Sequence, residues 1–404
     1  MKVLVCQHGA RHRYAVARLL DEAGMLSRLY TDSSQYSPLG KLCRRLSPRI
    51  GGSIGRLSRR EIPGIPLDKI FSTDAVFWSE LFGLRHRHDH HILRCYRRHK
   101  TLSRAMQRWG TADAGAVYVM YHEDLDFVRY AKDKGLKIVV DVFVNPLMDH
   151  IVNAECQRYP GWEAPVAPSV LEFADCLIEE ALDLADVALC PSEWVAEGVT
   201  TLSPKEAPKI RICPYGSSIS YGDLANVPVP GRIFHAGNCL LRKGLPDLAR
   251  AADILKPKYP YLDFRVAGIT DPAVHRRREC RNLNFLGNLS HEQMQEEFLS
   301  ADMFVLPTHA EGLASVIIEA IAAGCPVITT KRAGVAIEDG VNGILVAPGD
   351  VEALAGAIEK VHCDRLLRDT LAANTRTLAA NYTMDAWKQR LVNIFTNLEA
   401  GSTG

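Results

Sequence analysis

One stretch, residues 302–328, constrains the fold of this chain more than any other part of the sequence. It reads DMFVLPTHAEGLASVIIEAIAAGCPVI. Met303–Leu306 is a short apolar run typical of a buried parallel strand, and after a loop the residues from Ser315 onward predict a helix that Gly324 ends. A second apolar strand begins at Pro326. The stretch therefore predicts a strand–helix–strand crossover within a parallel sheet.

The loop before this helix is suited to an anion such as a pyrophosphate. A helix N-terminus offers free backbone N–H groups and the positive end of the helix dipole. Glu311 in the loop and Glu319 in the helix would repel a phosphate unless they accept hydrogen bonds from neutral hydroxyls on either side of it. The hydroxyls of a ribose and of a sugar flank the pyrophosphate of a nucleotide sugar. The alternative is a solvated helix that happens to carry acids.

The two acids also stand in a known pattern. Glu311 and Glu319 resemble the E-x7-E pair of retaining glycosyltransferases with the GT-B fold, family 4, and the following Ala-Gly-Cys-Pro-Val-Ile resembles that family's "small-Gly-x-Pro-Val". The resemblance implies an α/β fold of two Rossmann-like domains, with parallel sheets facing across a cleft and a C-terminal helix crossing back to the first domain. It also implies sugar transfer from a nucleotide sugar with retention of anomeric configuration, without a metal or another cofactor.

Length and composition narrow the class of protein. A chain of 404 residues is too long for one ordinary core and indicates two domains. Its 47% hydrophobic and 24% charged residues are typical of a soluble globular protein, and a net charge of +1 gives no general attraction to nucleic acid. Eleven cysteines occur singly, which indicates free thiols in a reducing compartment, and no apolar stretch suits a signal peptide or a membrane span. We expect a cytoplasmic protein.

The predicted domain boundaries follow from the resemblance and from a low-propensity linker. Residues 1–222 are expected to form an acceptor-binding Rossmann-like domain, and residues 231–380 a nucleotide-sugar-binding one. Residues 384–399 are amphipathic at helical spacing and are expected to form the helix that returns to the first domain. The linker between the domains carries Pro228 and Pro230.

The resemblance assigns a donor-binding loop to residues 237–244. Relatives read Gly-Arg-Leu and then Lys-Gly, and here Asn238 replaces the arginine while Arg242 and Lys243 remain. Cations at this position would stabilise the charge that grows on the leaving diphosphate. The expected donor-binding set comprises Gly237, Arg242, Lys243, Leu286, Gly312, Leu313 and Glu319.

The expected catalytic residues are Glu311, which would hold the transferred sugar, and His122. Family members often carry a histidine after this strand, pointing into the cleft, although an ordinary loop histidine with a backbone partner is an equal alternative. The acceptor-side loop after the first strand contains Gly9 and Arg11. It lacks G-x-G-x-x-G, which argues against a dinucleotide dehydrogenase. The D-x-D triplet at Asp124 follows a Rossmann strand, so chance explains it better than a metal site.

Two segments are strongly basic. Residues 41–60 carry seven Lys or Arg and no acid, and residues 85–108 carry eight against one Asp. They are solvated faces, or else they bind anionic lipid headgroups at the inner face of a membrane or an anionic acceptor. The second segment contains a cluster of four histidines for which no acid or cysteine at helical spacing completes a metal site; they are His86, His88, His90 and His91.

The sequence thus favours a glycosyltransferase acting on a nucleotide sugar and a glycan, lipid-linked or small-molecule acceptor. A nucleotide-sugar epimerase of related fold is one alternative. A catalytically silent nucleotide-sugar-binding protein is another, which the presence of Glu311, Glu319 and Lys243 disfavours.

Overall fold

The computed structural model describes residues 1–46, 60–82, 90–219, 221–222, 224 and 226–401. These residues form two parallel sheets with helices around them. The strands are β1 Val3–Cys6, β2 Leu26–Thr31, β3 Ile70–Ser72, β4 Ala116–Met120, β5 Lys137–Asp141, β6 Val187–Cys190, β7 Ile210–Ile212, β8 Arg232–Ala236, β9 Asp263–Ala267, β10 Leu283–Gly287, β11 Met303–Leu306, β12 Val327–Thr329 and β13 Ile344–Leu345.

The helices surround both sheets. They are α1 Ala15–Glu22, α2 Pro38–Leu46, α3 Ala75–Phe82, α4 His91–Trp109, α5 Leu125–Asp133, α6 Met148–Arg158, α7 Pro168–Leu184, α8 Glu193–Leu202, α9 Leu245–Leu255, α10 Pro272–His275, α11 His291–Ser300, α12 Ser315–Ala322, α13 Val351–Cys363, α14 Arg365–Ala379 and α15 Met384–Ala400. None of the helices among the described residues is both long and apolar enough to cross a bilayer.

The order of the strands fixes where a ligand can bind. The first sheet runs β3-β2-β1-β4-β5-β6-β7 and the second β10-β9-β8-β11-β12-β13, with parallel pairing throughout. The chain order reverses between β1 and β4 in one sheet and between β8 and β11 in the other. Ligands of open parallel sheets bind beyond the carboxyl ends of the strands at such a reversal. We call the four loops that follow these strands the reversal loops: residues 7–14, 121–124, 237–244 and 307–314.

The C-terminal helix returns to the first half of the chain, as the resemblance implied. Helix α15 packs against α1, with Trp387, Leu391 and Phe395 buried in an apolar cluster that also contains residues of both sheets. The helical spacing of the sequence therefore identified a true apolar face.

The first half also reaches into the second. Cys156, Tyr159 and Trp162 follow or end α6, and they belong to the same apolar cluster as Leu241 and Leu245 of the second half. Part of the first half is therefore packed into the core around the second sheet. A division of the chain at the linker alone therefore leaves out the packing of these three residues against the second half.

The basic segment 41–60 and the neighbouring histidines His86 and His88 lie mostly or wholly outside the described residues. The rest of the second basic segment forms α4. The region 33–70, which lacks periodicity in the sequence, contains α2 and leads into β3.

Candidate functional site

An ion-pair cluster occupies the reversal loops of the second sheet. Glu311 is buried, and its Oε2 accepts a hydrogen bond from Arg242 Nη1 at 2.7 Å. Its Oε1 lies 2.8 Å from Lys243 Nζ, and Lys243 is buried as well. One loop thus supplies two cations, and the other supplies the acid between them.

The charges in this cluster leave it net positive. Burial by itself would raise the pKa of Glu311, but the charges of Lys243 and Arg242 outweigh it and hold the pKa below its ordinary value. Glu311 is therefore ionised at neutral pH. One carboxylate against two cations leaves an excess of one positive charge, which attracts an anion such as a diphosphate.

Glu319 lies in α12 with a different environment. Among the described residues its carboxylate has neither a hydrogen-bond partner nor an ion pair. Burial raises its pKa to about 7, against the opposing charge of Lys243. The two acids of the E-x7-E pair are therefore electrostatically unlike: Glu311 is charged and paired, whereas Glu319 titrates near neutral pH and has free oxygens.

Glycines allow the close contacts around this cluster. A Cβ on Gly237 would lie 2.1 Å from Cδ of Lys243, so the lysine side chain packs directly over the glycine. A Cβ on Gly312 would lie 1.9 Å from the carbonyl oxygen of Phe143, and Ser192 Oγ donates a hydrogen bond to the Gly312 carbonyl at 2.6 Å. Gly312 is therefore a contact point between the two halves as well as part of the site.

A cavity of about 450 Å³ lies between the two halves. It brings together six of the residues predicted from the sequence: Arg11, Arg242, Lys243, Glu311, Gly312 and Leu313. The other predicted residues, Gly9, His122, Gly237, Leu286 and Glu319, are not among those that line it. Leu286 is partly buried in β10, the edge strand of the second sheet.

His122 lines a neighbouring cavity of about 230 Å³ with largely apolar walls. The two cavities share Phe143, Val144 and Met148. Among the described residues, Nδ1 of His122 is buried without a hydrogen-bond partner, and burial lowers the pKa of His122 to about 4, with a further contribution from His91. The imidazole is therefore neutral at pH 7, and it lies beside the central cavity rather than in its wall.

The loop after β1, residues 7–14, is built on unusual backbone. Gly9 has φ of 67°, and its N–H donates to Asp32 Oδ1 at 3.1 Å. The three residues from His12 to Tyr14 all have φ between 46° and 59°, a region that costs non-glycine residues energy. Arg11, immediately before them, stacks its guanidinium 3.7 Å from the centre of the Phe143 ring. This backbone presents Arg11 to the central cavity.

Two further contacts at the site were not predicted from the sequence. Glu163 Oε1 accepts hydrogen bonds from the backbone N–H groups of Leu240 at 2.9 Å and Leu241 at 3.1 Å, which holds the loop that carries the cations. The partners are 77 and 78 residues apart, so no local spacing reveals them.

The second unpredicted contact is a buried histidine in the loop before Glu311. His309 lies 2.6 Å from Asp247 and 3.2 Å from Glu155. Burial disfavours its charge, but the hydrogen bond to Asp247 and the nearby carboxylate of Glu155 raise the pKa of His309 to about 9. Because Glu155 belongs to α6, a protonated His309 ties the first half of the chain to the loop 307–314.

The second half of the chain matches a known family. Residues 230–364 match the family described as "Glycosyl transferases group 1". The chain is 32% identical over 263 residues to a glycogen synthase of Mycobacterium tuberculosis, a match that covers 62% of this chain and 59% of that protein. It is 29% identical over 212 residues to the lipopolysaccharide core biosynthesis glycosyltransferase LpsE of Rhizobium meliloti, covering 50% and 61% respectively. The chain thus spans less than two thirds of each.

Solved structures share the whole fold. A sucrose-phosphate synthase from Thermosynechococcus elongatus superposes with a TM-score of 0.67 at 18% identity, covering 99% of this chain and 100% of that one. HepE of Anabaena, solved in complex with UDP and glucose, superposes with a TM-score of 0.64 at 15% identity, covering 98% and 100%. The fold is that of GT-B glycosyltransferases, which confirms the fold predicted from the resemblance.

Proposed function

We propose that this protein is a glycosyltransferase that moves a sugar from a nucleoside diphosphate sugar to an acceptor. The observation that carries the proposal is the cluster of Glu311, Arg242 and Lys243 at the reversal of the second sheet. Its net positive charge suits a diphosphate, and its buried carboxylate suits the hydroxyls of the attached sugar. Residues 231–380 would bind the donor, and residues 1–222 the acceptor.

The donor would lie along the site in a fixed order. Glu319 accepts hydrogen bonds from the ribose hydroxyls, since its oxygens have no protein partner among the described residues. Arg242 and Lys243 bind the diphosphate and leave Glu311 to hold the transferred sugar. As the glycosidic bond breaks, negative charge grows on the diphosphate, and the two cations stabilise it more strongly than in the ground state.

We expect transfer with retention of configuration and without a metal at the diphosphate. Arg242 and Lys243 supply the positive charge that a metal ion would otherwise provide. An acceptor hydroxyl would attack the anomeric carbon from the same face as the one from which the leaving diphosphate departs. An oxygen of the donor phosphate would take the proton of that hydroxyl. The anomeric configuration of the product, measured by NMR coupling constants, tests this: an inverted product would contradict it.

The acceptor that the first half suits best is lipid-linked. The cavity beside His122 has apolar walls and adjoins the central cavity, so it can take an apolar group while the acceptor hydroxyl reaches the donor sugar. Helix α4 borders this cavity and exposes one basic stripe to solvent, which suits anionic headgroups. The stripe consists of Arg94, Arg97, Lys100, Arg104 and Arg108.

Calorimetric titration with UDP, GDP and ADP, and with their glucose conjugates, tests the donor proposal. We expect one of the three nucleotides to bind in the micromolar range and its sugar conjugate to be consumed when an acceptor is present. Epimerised donor recovered without transfer would favour the epimerase alternative. Tight binding with no turnover of any donor would favour the silent binding protein.

Matched acceptors test the lipid proposal. A glycoside with an octyl group should have a KM lower by about tenfold or more than the methyl glycoside of the same sugar, because each buried methylene contributes about 0.8 kcal/mol. Ile92→Ser, in the wall of the apolar cavity, should reduce this preference, whereas Leu366→Ser at an exposed position should not. Equal KM values for the two glycosides would contradict the proposal.

Co-sedimentation of the protein with lipid vesicles tests the basic stripe. We expect more protein to sediment with anionic than with neutral vesicles, and equal amounts would contradict the proposed role of the stripe.

A further inference from the structure

Four residues with metal-binding side chains meet at the reversal of the first sheet. His8 lies in the loop after β1, His99 in α4, and Glu123 and Asp124 in the loop after β4. One ligand atom from each can be chosen so that all four atoms lie within 4.8 Å of one another. His99 and Asp124 are buried, and the other two are partly buried. Three separate elements thus converge on one point.

The separations fit the ligand shell of a small divalent cation. His8 Nε2 is 3.0 Å from each carboxylate oxygen of Asp124 and 3.0 Å from His99 Nδ1. His99 Nδ1 is 3.9 Å from Asp124 Oδ1. Nitrogen and oxygen ligands at about 2.0–2.1 Å from a tetrahedral metal are about 3.3 Å from one another. The separations between the ligand atoms of these three side chains are therefore already near the edge length of such a tetrahedron.

One two-centre hydrogen bond cannot serve both contacts of His8 Nε2 in this cluster. His8 Nε2 carries at most one hydrogen, yet Asp124 and His99 Nδ1 both approach it at 3.0 Å. If that hydrogen points at Asp124, the lone pair of His99 Nδ1 faces His8 without a donor. If His99 Nδ1 donates instead, the lone pair of His8 Nε2 faces the carboxylate. A cation between them accepts every lone pair at once.

Glu123 supplies an independent observation. Its Oε2 is buried and has no hydrogen-bond partner among the described residues. An unpaired buried carboxylate oxygen is costly, so it needs a partner that the protein itself does not offer. Coordination of the same cation by Glu123 would provide that partner and complete a set of two nitrogens and two oxygens.

We propose that His8, His99, Glu123 and Asp124 bind one divalent transition-metal ion, with Zn²⁺ as the best match. Two imidazoles and two carboxylates in a tetrahedral arrangement suit Zn²⁺. The ion would join the loop that presents Arg11 to the loop that carries His122, and both to α4. Its role is structural, because all four positions are taken by side chains, and it is separate from the diphosphate site in the second half.

The sequence could not reveal this site, because His8 and Asp124 are 116 residues apart. The D-x-D triplet contributes only its first residue. Asp126 pairs instead with Arg129 of its own helix at 2.7 Å. The two acids of the triplet therefore do not meet at one metal site. Asp124 alone belongs to the cluster with His8, His99 and Glu123.

Titration of the metal-free full chain with ZnCl₂, and separately with CoCl₂, tests the proposal. We expect one Zn²⁺ per chain, an increase in the melting temperature, and a visible Co²⁺ spectrum of tetrahedral type without thiolate charge-transfer bands. The last feature distinguishes this site from exposed cysteines such as Cys176 and Cys363.

Two conservative variants and a control locate the ion. His99→Gln and Glu123→Gln should each weaken Zn²⁺ binding by about tenfold or more, whereas His291→Ala, at an exposed position, should leave it unchanged. The melting temperature of each metal-free variant shows that it folds. Absence of stoichiometric binding to the folded wild type, or equal affinity in all variants, would overturn the proposal and leave His8 and Asp124 as an ion pair only.

Discussion

The two halves of this protein place their reversal loops in equivalent positions but build them in opposite ways. In the first half the loops contain non-glycine residues with left-handed backbone, namely His12, Arg13, Tyr14, His122 and Asp124. Across the described chain the one other such residue is Ala112, also in the first half. In the second half, positions with positive φ are occupied by glycine. An example is Gly244 at 70°, where a Cβ would lie 2.1 Å from the Pro307 carbonyl oxygen.

This difference has a physical consequence. A left-handed non-glycine residue costs about 1–3 kcal/mol and persists only where surrounding packing enforces it. The second half, which we propose as the donor side, reaches its geometry through glycines at low cost. The first half, which we propose as the acceptor side, holds strained backbone beside apolar and imidazole groups. We infer that tertiary packing, and not local backbone preference, holds the reversal loops of the first half in place.

The largest effect is expected on the donor side, from Lys243→Ala. It removes a charge-assisted contact to the diphosphate, so nucleoside diphosphate affinity should fall by about 1.5–3 kcal/mol. It also leaves the buried Glu311 with Arg242 alone, which should lower the free energy of unfolding by about 3 kcal/mol. Calorimetry and denaturant titration measure the two losses. Lys331→Ala, at an exposed lysine of the same half, is the control. Wild-type nucleoside diphosphate affinity in Lys243→Ala would contradict the proposal that this lysine binds the diphosphate.

The next effect is a pH dependence at Glu319. Its folded pKa of about 7 is above the ordinary value near 4.3, so the folded state holds more protons than the unfolded state between these values. Stability conferred by this group is therefore lost as pH rises from about 4.5 to 7. Glu319→Gln should stabilise the free protein by about 2 kcal/mol at pH 8 and by little at pH 4.5, allowing for partial exposure.

Denaturant titrations at the two pH values measure this effect. Glu338→Gln, at an exposed glutamate, should shift stability equally at both pH values. A Glu319→Gln effect that does not change with pH would show that the pKa of this carboxyl is not raised on folding.

The smallest effect tests the strain on the acceptor side. Arg13 is exposed with φ of 53°, so Arg13→Gly should relieve strain and raise the free energy of unfolding by about 0.5–1 kcal/mol. Arg104→Gly, in the middle of α4, should instead lower it by about 1 kcal/mol. Opposite signs in thermal or denaturant unfolding support the contrast between the halves. Destabilisation by both substitutions would mean that the loop is not strained.

The same contrast explains what the sequence could predict. The strand and helix within residues 303–322 have apolar patterns that predict them, and Gly324 marks the end of the helix. The donor loops followed from the glycines and cations adjacent to them. These features are local, so spacing along the chain was enough to predict this strand–helix–strand unit, and the resemblance of local motifs to a known family supplied the two-domain fold and the roles of Arg242, Lys243 and Glu311.

The remaining parts depend on contacts between distant residues. His309 pairs with Asp247 across 62 residues, and Glu163 holds a loop 77 residues away. The left-handed backbone at His12 and His122 could not be predicted, because neither position is a glycine. Tertiary packing, and not local preference, enforces it. His122 was expected either to point into the cleft or to be an ordinary loop histidine, and it lines the adjoining cavity but not the central one.

The central claim is that the two acids of the donor side divide the nucleotide sugar between them. It is tested most directly by calorimetric titration of Glu311→Ala and Glu319→Ala with the nucleoside diphosphate that binds wild type, beside initial rates with the full donor. Glu319→Ala should lose diphosphate affinity along with turnover. Glu311→Ala should keep that affinity or gain some, because Arg242 and Lys243 are released from the carboxylate, while its turnover falls. Equal loss of diphosphate affinity in both variants would contradict the account.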